Sequence, residues 1–337
     1  MRAYEIVAGS GVDSIALRER PEPVAGPGEV VIEVKACSLN YRDTLVIGGT
    51  YAGAGKKTGQ VPLSDGAGTV ASVGAGVTRL AVGDRVAGAF MPGWVDGPLT
   101  AEKQKGSLGG DVDGMLAERV VLPATGVVRV PEHLSFAEAA TLPCAGVTAW
   151  YAQFVGGQLR PGQTVLLLGT GGVSIFALQF AKLAGARVII TSSDEAKLER
   201  ARQLGADHLI NYRASPDWQH EVLALTDGTG ADHAVEVGGP GTLNRTLEAV
   251  RFGGSISLMG TLTGLTDSVA TSLILMKNIR VQGTYVGSVA MFEDMNRAIA
   301  LHRSRPVIDR RFGFDEAAMA LRHLGSGQHF GKVVIEA

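Results

Sequence analysis

From the amino terminus to about Val130 the chain runs in short, β-branched apolar stretches separated by glycine and proline turns: EVVIEVKACSLN, GTVASVGAG, GDRVAGAF and AERVVLP. Runs of this length between such turns predict β-strands in a mostly antiparallel, barrel-like module. From Met91 to Gly114 the period disappears and Gly, Pro and Asp dominate, which predicts a long surface loop of the kind that often carries function. Trp94 in that loop reads either as a lid or as its aromatic anchor.

After Pro131 the pattern changes. SFAEAATLPCAGVTAWYAQFV has helical character, with Ser135 a good N-cap and Glu138 three residues on, as in a capping box. Apolar strands then alternate with amphipathic helices: TVLLLG, GVSIFALQFAKLAG, RVIITS, DEAKLERARQLG, HLINY, PDWQHEVLALTDG, DHAVEVG, GTLNRTLEAVRFGG, SISLMG and finally IRVQGTYV. Six strands with helical crossovers predict an α/β domain built on a doubly wound parallel sheet of the Rossmann type, spanning 131–288. The remainder, 1–130 with 289–337, forms the second domain: a helix from about Val289 to His302 and the tail FDEAAMALRHLGSGQHFGKVVIEA are expected to fold back onto the first module. The last strand, IRVQGTYV, would leave an exposed apolar edge, and such edges are usually covered or paired, so a homodimer or higher homo-oligomer is expected.

Composition narrows the functional classes. The 337 residues are 45% hydrophobic and 19% charged, with a net charge of −2. That suits a packed globular protein and gives no electrostatic reason to expect nucleic acid or an anionic membrane as partner. Neither a signal-peptide pattern nor an apolar run of membrane-spanning length is present, so a cytoplasmic location is expected. Two cysteines, Cys37 and Cys144, exclude a disulfide framework and a four-thiolate zinc lobe.

The clearest chemistry lies just after the first Rossmann strand, at Gly169-Thr170-Gly171-Gly172-Val173-Ser174. Gly169 permits the sharp turn, and Gly171 lets backbone approach a pyrophosphate whose charge meets the positive end of the following helix. Ser174 replaces the third fingerprint glycine and is small enough to keep the helix close to the sheet. Because strand, turn and helix come in the required order, the segment predicts a dinucleotide site. At the tip of the second strand stand Ser192 and Ser193, with Asp194 and Glu195 assigned to the first turn of the next helix and Lys197 just beyond. Hydroxyls and a cation suit a 2′-phosphate, so NADP(H) is expected over NAD(H). Tyr212 and Arg213 are placed on the adenine side. Gly260-Thr261 and Tyr285-Val286-Gly287, at carboxyl ends of strands, are expected to hold ribose and carboxamide through their backbone.

Taken together, EVVIEVKACSLNYRDTL, PLSDGAGTVASVGAGV, GDRV, LPCAGVTAWYA, the GTGGVS turn and the closing GKVVIE resemble the medium-chain dehydrogenase/reductase superfamily, and within it the quinone oxidoreductase-like branch. The resemblance spans essentially the whole chain. It implies a GroES-like, mostly β catalytic domain beside the Rossmann domain. It also implies that Asn40 and Tyr41 lie beside the nicotinamide as hydrogen-bond donors, with Asp43 orienting its neighbours. Thr148 is placed against the coenzyme, and Lys332 reads either as reaching it from the returning segment or as a surface charge. A two-fold partner pairs with the last strand in such enzymes. The chain departs from the zinc alcohol dehydrogenases of that superfamily: Asn40 stands where they carry a cysteine, Ser64-Asp65 where they carry His-Glu, and only Cys144 keeps a thiol. The Met91–Gly114 loop lacks the cysteines of their structural zinc lobe. No metal is therefore expected, and Cys144 reads as a small buried hydrophobe.

Without a Lewis acid, nothing lowers the pKa of a simple alcohol. An acceptor that delocalises negative charge as hydride arrives needs only donors near its oxygen. The expected activity is NADPH-dependent transfer of hydride to a quinone, enone or other small activated carbonyl. The alternatives are a metal-independent alcohol or aldehyde oxidoreductase, and a non-catalytic NADPH-binding protein resembling the lens crystallins of this branch.

Overall fold

The computed structural model describes residues 1–9, 11–51 and 57–337. Two compact units are present, Met1–Val147 with Gly287–Ala337, and Thr148–Val286.

The first unit is mostly β. Strands β1 (Arg2–Ile6) and β2 (Ile15–Glu19) pair with each other, followed by β3 (Glu29–Ser38), helix α1 (Tyr41–Gly48), β4 (Asp65–Val73), β5 (Arg85–Gly88), β6 (Arg119–Pro123), β7 (Val127–Arg129) and the short helix α2 (Phe136–Ala139). Helix α3 (Val147–Trp150) begins where this unit ends. Ten-residue β3 is the spine: it pairs antiparallel with β4 and with β6. Ile32, Val70 and Val86 are buried in one core with Met115, Leu116 and Leu122. Burying each such aliphatic side chain contributes roughly 1.5–3 kcal/mol. Gly68 lies opposite Val34 in the β3–β4 pair, and a Cβ there would lie 1.9 Å from the carbonyl oxygen of Glu33.

The second unit holds β8 (Thr164–Leu168), α4 (Gly172–Leu183), β9 (Arg187–Ser192), α5 (Glu195–Gln203), β10 (His208–Asn211), α6 (Trp218–Leu225), β11 (Ala231–Glu236), α7 (Pro240–Ala249), β12 (Val250–Leu258), α8 (Thr271–Met276) and β13 (Arg280–Gly283). The strands form one sheet in the order β10-β9-β8-β11-β12-β13, every pair parallel. This is the doubly wound α/β arrangement expected from the alternating pattern, with its topological switch between β8 and β11. All six carboxyl ends emerge on one edge. β13 is the terminal strand on the other side of the switch from β10 and, among the described residues, pairs only with β12.

The chain then returns to the first unit through α9 (Val289–His302), β14 (Ile308–Gly313), α10 (Ala317–Gly325) and β15 (Lys332–Glu336). β15 joins β14 in parallel and β3 antiparallel, with Val334 opposite Ser38. The tail thus completes the first sheet, as its pattern suggested.

Three local expectations shift. The unit boundary falls after Val147 rather than at Val130, because α2 packs against β3, β4 and β15. Its capping box forms: the amide N–H of Glu138 donates to Ser135 Oγ at 3.2 Å, and Glu138 Oε2 accepts the amide N–H of Ser135 at 2.7 Å. The helical run beyond it widens into π turns at Leu142–Gly146 and Tyr151–Gly156. Pro143 has no N–H to return to the carbonyl four residues earlier, which breaks the regular ladder there. Finally, Trp94 is fully buried and donates through Nε1 to the carbonyl of Gly97 at 2.8 Å, so it anchors the Met91–Gly114 loop rather than lying over it as a lid. Among the described residues no helix is long and apolar enough to cross a membrane.

Candidate active site

In the second unit the segments assigned to the coenzyme are the loops at the carboxyl edge of the sheet, shaped by local chemistry. After β8, Gly169 takes a φ of 72°, a conformation that favours glycine, and its N–H reaches Thr191 Oγ1 at 3.3 Å. Gly171 is the N-cap of α4, extended and without a side-chain cap, so Thr170, Gly171, Gly172 and Val173 present backbone rather than side chain at the positive end of a twelve-residue helix. Ser174 is buried and donates from Oγ to the carbonyl of Leu168 at 2.7 Å. It ties helix to strand where the third fingerprint glycine would otherwise allow close packing.

Beside this turn, β9 ends at Ser192, with Ser193 following half-buried. Asp194 is the N-cap of α5: its Oδ1 accepts the amide N–H of Lys197 at 3.0 Å, and its own N–H donates to Ser192 Oγ at 3.4 Å. Glu195 accepts from Asn211 Nδ2 at 2.5 Å. Both carboxylates thus serve the helix start and the neighbouring strand, as the sequence assignment required. Tyr212, just past β10 and 41% exposed, donates its backbone N–H to the carbonyl of Ser192 at 3.1 Å, so the ends of β9 and β10 are held side by side.

Across the switch point stands a group that sequence reasoning missed. Glu236 closes β11 with no solvent exposure. Its Oε1 accepts the amide N–H groups of Gly238 and Gly239 at 2.7 and 3.0 Å and the Thr242 hydroxyl at 2.7 Å, while Oε2 accepts from Thr246. Burial pushes this carboxyl above its ordinary range, against the pull of four donors. The carboxylate moulds the loop Val237–Gly239, on which the next loop is stacked: a Cβ at Gly260 would lie 1.8 Å from the carbonyl oxygen of Val237. The signal available in the sequence was the Gly238-Gly239-Pro240 run directly after a strand. Gly260 and Thr261 follow β12, and Tyr285 and Val286 follow β13, Val286 at a φ of 57°. Thr148 lies on α3. The residues assigned to the coenzyme fall in this unit except for Gly287 and Lys332, which fall in the other.

In the first unit β3, β4, β15 and the start of α1 converge on a buried polar cluster. Ser38 and Asp65 are register partners across β3 and β4. Asp65 and Ser64 are fully buried, and the Asp65 carboxylate accepts from Ser38 Oγ at 3.1 Å and from Ser64 Oγ at 2.8 Å. Lys332, 3% exposed, donates from Nζ to the carbonyl of Leu39 and to Asn40 Oδ1, both at 2.6 Å, and stands 3.8 Å from Asp65 Oδ2. Asn40 Nδ2 has a long contact of 3.5 Å to Ser64 Oγ. Asn40 also caps α1: its N–H donates to Asp43 Oδ2 at 2.8 Å, while Asp43 Oδ1 accepts from Arg42 at 3.2 Å. Burial lifts the Asp43 carboxyl to about 6 despite the adjacent guanidinium. Asp43 is therefore tied to the Asn40 backbone at the helix start, and Tyr41 stands beside them 46% exposed. Cys144 is half-buried rather than buried, and desolvation with Asp65 nearby pushes its thiol far above the ordinary value. Cys37, fully buried, is shifted the same way and reaches the carbonyl of Met115.

Lys332 thus lies against Asn40 and the strand pair β3–β4, a neighbourhood that its sequence position did not disclose. Among the described residues no group of three or more His, Cys, Asp or Glu side chains is arranged to hold a metal ion.

Comparison with known proteins places these two units. Residues 26–132 match the alcohol dehydrogenase GroES-like domain, and residues 172–302 match the zinc-binding dehydrogenase model. A zinc-type alcohol dehydrogenase-like protein of Schizosaccharomyces pombe is 43% identical over 97% of this chain and 96% of its own. A quinone oxidoreductase of Pseudomonas aeruginosa is 31% identical over 99% of each. Among solved structures, one described as an NAD-dependent alcohol dehydrogenase superposes with a TM-score of 0.91 at 34% identity, covering 100% of both chains.

Proposed function

The chain belongs to the zinc-binding dehydrogenase family of the medium-chain dehydrogenase/reductase superfamily, an oxidoreductase family whose membership implies a nicotinamide coenzyme, and from that premise we propose that it is an NADPH-dependent, metal-independent reductase of quinones, enones or other small activated carbonyls. The observation that carries the proposal is the state of Asp65: both carboxylate oxygens accept serine hydroxyls, and a buried lysine faces it. A catalytic zinc needs three protein ligands around an open position. Asn40, Ser64 and Cys144 offer an amide, a hydroxyl already turned to Asp65, and a single thiol. These residues do not fit the ion. The buried side chains also balance without it, Asp43 and Asp65 against Arg42 and Lys332.

Nicotinamide supplies the hydride when bound. The chain supplies an uncapped helix terminus for the pyrophosphate and a strand tip of hydroxyls for the 2′-phosphate. The carboxamide of Asn40 and the exposed phenol of Tyr41 act as donors to the oxygen that gains charge. NADPH over NADH rests on Asp194 being turned to the α5 amide and on Lys197 following it. Loss of NADPH absorbance against a panel of quinones, enones and aldehydes tests the activity, with NADH and with alcohol plus NAD⁺ as controls. Likeness to a zinc-type alcohol dehydrogenase-like protein and to an NAD-dependent alcohol dehydrogenase favours the alcohol reaction as a second reading. Turnover of primary alcohols with NAD⁺, together with stoichiometric zinc in the purified protein, would establish that reading instead. The open edge of β13 supports a homodimer as the working assembly, readable from its mass in solution.

A further inference from the structure

We propose that Lys332 is a positioning residue that fixes the orientation of the Asn40 carboxamide. The inference rests on the function just proposed. A carboxamide has two ends of similar shape and opposite polarity, and which end faces a substrate is set by its neighbours. An ammonium has donors only. With Nζ 2.6 Å from the Asn40 side chain, the end facing the lysine must be the carbonyl oxygen, so Nδ2 is turned the other way.

The rest of the ring holds this choice in place. Asn40 Nδ2 leans on Ser64 Oγ, which gives its own proton to Asp65, and Asp65 closes the circuit opposite Lys332. Of the two N–H bonds on Nδ2, only the 3.5 Å contact to Ser64 is made among the described residues. Asn40 is half-buried, and in the proposed reaction this remaining donor is the one offered to the substrate oxygen. The adjacent cation further polarises the amide, making that N–H a stronger donor than an ordinary asparagine offers. Lys332 itself is held by the carbonyl of Leu39, on a strand whose register with β3 is fixed by the Val334–Ser38 pair. A donor held ready for developing charge is the form of help that accelerates hydride addition to a carbonyl.

The test compares wild type with Lys332→Met, Lys332→Arg and the charge-balanced pair Lys332→Met with Asp65→Asn, which guards against misfolding through an unpaired buried carboxylate. Three readouts are taken: kcat on the best enone, the NADPH dissociation constant, and the Asn40 conformation in crystals of the NADPH complex. Expected are a fall in kcat of about 10–100-fold for the methionine variants, partial recovery with arginine, NADPH affinity within about twofold of wild type, and an Asn40 amide that turns or loses its single orientation. An NADPH affinity that falls as far as kcat would make Lys332 a coenzyme contact and overturn the inference. So would crystals in which Asn40 keeps its orientation without the lysine. If wild type reduces no carbonyl on the panel, the proposed function fails, while the crystals still decide whether Lys332 orients Asn40.

Discussion

Replacing Glu236 is the sharpest test of how the second unit shapes its ligand edge. Glu236→Ala removes the acceptor of four donors in a fully buried position. The two threonines have somewhere to go: the Thr242 hydroxyl already lies 3.2 Å from the carbonyl of Gly239, and Thr246 lies at the same distance from that of Thr242. The amides of Gly238 and Gly239 have no such alternative, and each orphaned buried N–H costs about 1–3 kcal/mol, so the change should lower stability by roughly 2–6 kcal/mol before any cavity is counted. Glu236→Gln separates the acceptor from the charge. Its carbonyl oxygen can still receive both glycine amides, and its NH₂ meets the Thr246 hydroxyl, which rotates to donate to Thr242. A loss of about 1 kcal/mol or less is expected. Urea titration read by fluorescence gives both numbers, and titration with NADPH should show weaker binding by Glu236→Ala, because Gly260 is stacked on the loop that Glu236 holds. An alanine variant with the wild-type midpoint, or a glutamine variant as damaged as alanine, would refute the reasoning.

Other expectations follow from the same geometry. His233 is buried, shares a hydrogen bond with Ser255 Oγ at 2.8 Å, and has its pKa lowered to about 4 by desolvation. The unfolded chain therefore takes up this proton first as pH falls. Stability should decline between about pH 6.5 and 4, by roughly 3 kcal/mol in total, and level off below that; urea midpoints across this window should flatten in His233→Leu. Lys197→Ala should weaken NADPH by about tenfold and NADH much less, measured as two dissociation constants; equal losses would remove the 2′-phosphate from the account. Because burial holds both thiols protonated, neither Cys37 nor Cys144 should react with a thiol reagent in the folded protein at about pH 7.5 at more than a small fraction of the rate of free cysteine. Rapid labelling of Cys144 would show an activated thiolate.

Local chemistry was legible where neighbours in sequence are neighbours in space. Gly169, Gly171 and Ser174 act within one short segment, so strand, turn and helix could be read as one device. Asp194 was assigned to the start of the next helix from its place after the second strand, and it proves to be the N-cap there. The Ser135–Glu138 capping box is of the same kind. The π turns after Thr141 were less visible, since their periodicity is a distortion of the helical one, although Pro143 marked the place. Trp94 had equal claims as lid and anchor until its partner Gly97 and its burial were known. The unit boundary was misplaced because a helical pattern does not say which sheet the helix packs against.

The buried polar ring was illegible for a different reason. Lys332 and Asn40 are 292 positions apart, joined only because β15 enters beside β3. Sequence shows where a chain departs from the metal-ligand residues of a family it resembles, and here the departures fall at Asn40 and Ser64. It does not show what stands against them, because Lys332 comes from neither position. A charge balance completes the argument. On the proposed metal-independent reading, the buried carboxylates of Asp65 and Asp43 have to be matched by cations of the chain, and Arg42 and Lys332 stand against them. The lysine that neutralises Asp65 is also the one that grips the Asn40 amide, so charge compensation and donor orientation are one arrangement. Substitutions that reintroduce ligands at positions 40 and 64 should therefore bind zinc only when Lys332 is neutralised as well, and metal content of the double and triple variants would show whether the two cations compete for the same place.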